Sequence, residues 1–108
     1  MSGLSPLIED KINKVFIKHE SIEVAVLYGS RALGTNRENS DIDITLQGDI
    51  QFETLLKVEN ELEELLLPYK IDLSIYNNIQ NKELIDHIKR VGKTFYTKII
   101  SGTRNYRK

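Results

Sequence analysis

The 108-residue chain has no cysteine and no tryptophan, two prolines, one methionine and two histidines. Without thiols it can form no disulfide, no thiolate nucleophile and no thiolate zinc site. His19 and His87 are too few for a histidine-built metal centre, so any metal must be held mainly by oxygen. No apolar run approaches the ~20 residues that span a bilayer. The start, Met-Ser-Gly-Leu-Ser-Pro, lacks the basic residues and apolar run of a secretory signal. The expectation is a cytoplasmic protein with no membrane partner.

With 40% hydrophobic residues, 29% charged residues and a net charge of -1, the composition is that of a globular domain and argues against wholesale electrostatic binding of nucleic acid. The charge is uneven, because residues 89–108 hold Lys89, Arg90, Lys93, Lys98, Arg104, Arg107 and Lys108 with no acid. The part of this tail after about residue 101 is expected to be a solvated chain end. With no repeat, low-complexity segment or Pro/Gly-rich linker, residues 1–108 read as one domain. That length leaves no room for a second, substrate-binding domain.

The pattern predicts an α/β (α+β) order. Ser5 caps a helix that starts at Pro6 and runs to about Lys18, with Ile8, Ile12, Val15 and Phe16 on one face. Val24–Tyr28 reads as a buried strand that feeds Gly29-Ser30 and a short helical piece to about Gly34. From Asp41 the residues alternate, with Ile42, Ile44 and Leu46 on one side and Asp41, Asp43 and Thr45 on the other. Asp49 is expected to cap a helix whose stripe is Phe52, Leu55, Leu56, Leu62, Leu65 and Leu66, with Glu53, Glu59, Glu61, Glu63 and Glu64 as a solvated face and Pro68 as the stop. Lys70–Tyr76 alternates again, Asn81 opens a last helix that ends near Gly92, and Thr94–Thr97 reads as a short closing strand or extended segment.

The chemistry concentrates between Leu27 and Asp43. Gly29-Ser30, placed where a buried strand ends and a helix starts, offers backbone N–H groups and a hydroxyl to phosphate oxygens. Alone this pair is an ordinary tight turn. Ten residues separate Ser30 from Asp41-Ile42-Asp43. Residues two apart on a strand lie about 7 Å apart on the same side, so Asp41 and Asp43 can converge on one site. Unpaired carboxylates there repel unless a cation sits between them, and magnesium suits oxygen ligands completed by substrate phosphates. If the second alternating strand lies beside the first, Asp72 adds a third carboxylate, as two-metal phosphoryl chemistry requires. Arg31, beside the turn, is placed to neutralise phosphate charge, whereas nothing in the spacing requires this of Arg37. His19 and His87 read as surface or helix-end residues, and Tyr28, Tyr69 and Tyr76 as packing.

Gly29-Ser30, the interval, Asp41-x-Asp43 and Asp72, with flanking Leu27-Tyr28, Arg31-Ala32 and Gly34, resemble the minimal nucleotidyltransferase family within the DNA polymerase β-like nucleotidyltransferase superfamily. The resemblance implies a small mixed sheet flanked by helices. It implies ATP as substrate with Mg2+, transfer of AMP to an acceptor hydroxyl, and release of pyrophosphate. Gly29 and Ser30 would hold the terminal phosphates, Asp41 and Asp43 both metals, and Asp72 the reactive metal and the acceptor. Leu33 stands where family members often carry a second Arg. Many such small proteins pair with a helical HEPN-domain toxin and act as its antitoxin, which implies a homo- or hetero-oligomer. The size fits, because a core without an acceptor-binding domain gains that site from a partner. Two alternatives stand beside this reading: a binding module that acts on its partner by contact alone, and a transferase for a small hydroxyl compound.

Overall fold

Ser5 opens the first helix as its sequence predicts: its Oγ accepts from the Ile8 amide at 3.2 Å, and Pro6, which has no N–H to lose, occupies the first turn. In this computed structural model, which describes residues 2–98, helix α1 covers Pro6–Ile17. It is followed by β1 (Val24–Tyr28), α2 (Ser30–Leu33), β2 (Ile42–Gln47), α3 (Phe52–Glu63), β3 (Ile71–Ile75), a 3-10 turn (Tyr76–Asn78), α4 (Lys82–Val91) and β4 (Lys93–Thr97). The basic tail beyond residue 98 lies outside the described residues.

The strands form one mixed sheet in the order β3-β2-β1-β4. β1 lies antiparallel to both β2 and β4, and β2 lies parallel to β3, with α3 as the connection that a parallel pair needs. Alternation then sorts the side chains. Ile42, Ile44 and Leu46 are fully buried in one cluster with Ile12, Phe16 and Val58. The apolar faces of α1 and α3 therefore close over one side of the sheet. On the other side α4 approaches β1 so closely that a Cβ at Gly92 would lie 2.7 Å from Val26 Cγ1.

Both boundaries of α3 differ from the sequence expectation. The cap of α3 is Gln51, not Asp49, because Ile50 between them is drawn into the core. α3 ends at Glu63, well before Pro68, and Leu66 takes a left-handed φ of 55° as the chain turns back toward β3. The predicted stripe also narrows: Val58 and Leu62 are buried, whereas Phe52, Leu56 and Leu66 are exposed. Of the two readings of the closing segment, the strand holds: it is β4, at the sheet edge beside β1.

Candidate active site

Register decides which polar side chains meet. Asp43 of β2 lies directly beside Asp72 of β3 and directly opposite Tyr28 of β1. Cross-strand neighbours share a face, so these three project from the side of the sheet opposite the α1/α3 core. Asp41 sits one residue before β2, exposed, and points to the same side two residues from Asp43. The structure thus brings Asp43 and Asp72 together on rigid strands and leaves Asp41 at the rim.

Gly29 follows Tyr28 where β1 leaves the sheet. Its φ of +75° is unfavourable for an L side chain, and a Cβ there would collide with the Asp43 carboxylate. The Gly-Ser turn can approach the acids only because residue 29 has no side chain. Ser30, half-buried, starts α2, whose amides at Ala32 and Leu33 return to the Gly29 carbonyl.

Electrostatics at this cluster are unrelieved. Burial, then the negative charges of Asp72 and Asp41, hold the Asp43 carboxyl above its ordinary range. Among the described residues no Lys or Arg forms an ion pair with Asp41, Asp43 or Asp72. Nor does any group of three or more acid or histidine side chains there close on a single metal position. Asp43 and Asp72 form an open pair of hard oxygen donors with excess negative charge. That donor set fits magnesium when other oxygens complete its shell.

Beneath the acids lies a hydroxyl floor. Ser74 Oγ donates to Thr45 Oγ1 at 2.9 Å, on the same face of the sheet as Tyr28. Burial, with added repulsion from Asp43 and Asp72, pushes the Tyr28 phenol up from its ordinary range, so it stays neutral. A groove of about 750 Å³ runs along the free edge of β3 with Asp72 on its rim and Leu56, Leu66 and Tyr69 among its walls. Gly29 and Asp43 do not line it, so the site proper is the open polar surface of the sheet.

Two basic residues are placed differently from expectation. The Arg31 guanidinium is buried, 1% exposed, where it donates to the Ser40 carbonyl at 2.9 and 3.2 Å and to the Ser2 carbonyl at 3.2 Å, and it lies 4.8 Å from the Tyr69 ring centroid. It braces the segment between the Gly-Ser turn and Asp41 in place of facing phosphate. Arg37 is exposed in that segment, where its amide donates to Ser40 Oγ at 2.7 Å. His87, expected at the surface, instead reaches the turn: the Gly29 N–H donates to its Nε2 at 3.1 Å, and its ring meets Tyr28 edge-on at 6.1 Å. The only sequence signal for this was its place among the inward positions of α4, between Leu84 and Val91. His19 bonds Glu61 at 2.7 Å and ties the end of α1 to α3.

Comparison with known proteins agrees with this geometry. A family model described as Polymerase beta, nucleotidyltransferase matches residues 10–99. Over 98 residues the chain is 28% identical to "Putative protein adenylyltransferase MJ0604" of Methanocaldococcus jannaschii, a match that covers 90% of this chain and 91% of that protein. A chain of a toxin–antitoxin crystal structure with AMP-PNP superposes with a TM-score of 0.67 at 24% identity, covering 83% of this chain and 73% of the other. A chain of the complex of tri-AMPylated Shewanella oneidensis HEPN toxin with MNT antitoxin gives a TM-score of 0.62 at 20% identity, covering 85% and 71%. These superpositions establish a shared fold.

Proposed function

We propose, from the premise that this chain belongs to the polymerase β nucleotidyltransferase family, that it transfers AMP from ATP to a hydroxyl on a partner protein. The observation that carries the reading is the side-by-side register of Asp43 and Asp72 next to a turn that only glycine permits. Magnesium held by Asp41, Asp43 and Asp72 would supply charge neutralisation for the triphosphate and activate the acceptor hydroxyl. Gly29 and Ser30 would bind the terminal phosphates. The acceptor oxygen forms a bond to the α-phosphorus as the bond from that phosphorus to the β-phosphate bridging oxygen breaks. Pyrophosphate leaves with the electron pair, and Asp72, nearest the open sheet edge, takes the acceptor proton.

A protein acceptor is favoured by two findings. The chain matches the M. jannaschii protein described as a protein adenylyltransferase along nearly its whole length, and the fold neighbours include an MNT antitoxin in complex with an AMPylated protein. The fold neighbours suggest the acceptor's kind, a HEPN-type toxin for which this chain acts as antitoxin in a cytoplasmic complex. No helix of the described residues is long and apolar enough to cross a membrane.

The test incubates the protein, magnesium and α-labelled ATP with the protein encoded beside it. Label is expected on that neighbour and absent with Asp43→Asn. Label that persists in the variant removes Asp43 from the chemistry, and label on a small hydroxyl compound without any protein acceptor replaces the protein-directed reading.

A further inference from the structure

We propose that His87 is a positioning residue for the phosphate chain of the nucleotide, acting through the Gly29 amide; the inference rests on the nucleotidyl-transfer reading above. Gly29 N–H is the first amide beyond β1, and its acceptor is His87 Nε2, at 3.1 Å and 58 residues away. Accepting there requires the imidazole to carry its proton on Nδ1. The ring is held in turn by its edge-on contact with Tyr28, at an interplanar angle of 79°.

The helix that carries His87 is fixed at both ends. Asn81 Oδ1 accepts from the Glu83 and Leu84 amides at 2.9 and 3.1 Å, and Gly92 packs against Val26. His87 is thus a rigid strut from α4 to the peptide that joins Tyr28 to Gly29. The plane of that peptide sets the direction of everything after it, including the Gly29 backbone against Asp43 and the Ser30 amide and hydroxyl. Without an acceptor, a half-buried N–H loses its protein partner and the peptide can rotate. The carboxylates would stay in place, because Asp43 and Asp72 are held by the β2–β3 ladder and not by α4. The expected defect is therefore in nucleotide binding, with the chemical step spared.

The experiment compares wild type, His87→Phe, which keeps a ring against Tyr28 but has no acceptor, and His87→Gln, whose Oε1 falls near the Nε2 position. In an amide NMR spectrum of the protein without nucleotide, the Gly29 proton should lose its exchange protection in the Phe variant and regain it in the Gln variant. ATP affinity in magnesium should fall about tenfold in the Phe variant and recover in the Gln variant, with kcat changed less than about threefold. A Phe variant with wild-type ATP affinity, a Gln variant as weak as the Phe one, or a loss confined to kcat would overturn the proposal. A wild-type protein that binds no ATP would instead defeat the nucleotidyl-transfer reading itself, whatever the Gly29 amide shows.

Discussion

On one face of β2, Ile42, Ile44 and Leu46 are fully buried against α1 and α3; on the other, one residue along, Asp43 crowds Asp72 and Gly29. The apolar face stabilises the fold in the usual way, by removing hydrocarbon from water. The polar face does the reverse, because Asp43 is held partly buried beside like charges that raise its pKa. A strand built only for stability would carry Thr or Val there, and the contrast is what the proposed nucleotide and metal site on the polar face accounts for.

The comparison breaks most completely at Asp43. Asp43→Asn should lower AMP transfer on the order of 10³-fold or more, since it removes several kcal/mol of charge stabilisation; quantitative labelling of the acceptor measures it. On the opposite face, Ile44→Ala should cost about 3 kcal/mol through lost burial and a residual cavity. Thermal unfolding would show this as a fall in Tm of roughly 10 °C or more. Gly29→Ala forces a Cβ onto Asp43 at a left-handed φ, and ATP affinity should fall about tenfold or more with a loss of ~1–2 kcal/mol in stability.

A smaller effect has the opposite sign. Because the folded pKa of Asp43 lies above its ordinary value, the native state binds more protons than the unfolded chain between those two values. This group therefore lowers stability as pH rises through that window. Without divalent metal, Asp43→Asn should raise Tm slightly at pH values above that window, an effect kept small by solvent screening of this half-exposed group, and the gain should vanish in acid. A variant that lost both transfer and stability would show that Asp43 supports the fold as well. The smallest effect lies away from both faces. The His19 hydrogen bond lowers the Glu61 carboxyl from 4.5, so its contribution is present above that pH and is lost as pH falls through the lowered value. Glu61→Gln should cost under about 1 kcal/mol at neutral pH, and its melting curve should converge with that of the parent in acid.

Much of this was legible before any coordinates. The alternation from Asp41 to Leu46 sets the two faces of β2, and Ser5-Pro6 and Asn81 mark the starts of α1 and α4. Asp72 was legible only conditionally, because alternation names its side of β3 but not which strand lies next to it. The α3 boundaries shifted because propensity at Asp49 and Pro68 competes with the need to bury Ile50 and to turn at Leu66. Arg31 beside the turn reads as a phosphate ligand until the Ser2 and Ser40 carbonyls and the Tyr69 ring claim its guanidinium.

The sequence alone determined the local terms: which residues alternate, where helices start, and that the chemistry is oxygen-based, since no thiol exists and histidines are two. These follow from neighbouring residues and the repeat of the backbone. Only the tertiary structure decided that β3 lies beside β2 with Asp72 level with Asp43, that Arg31 points into the body of the protein, and that His87 reaches back to Gly29. Those contacts join residues tens of positions apart, and their partners are chosen by how the helices and strands pack, which no local pattern encodes.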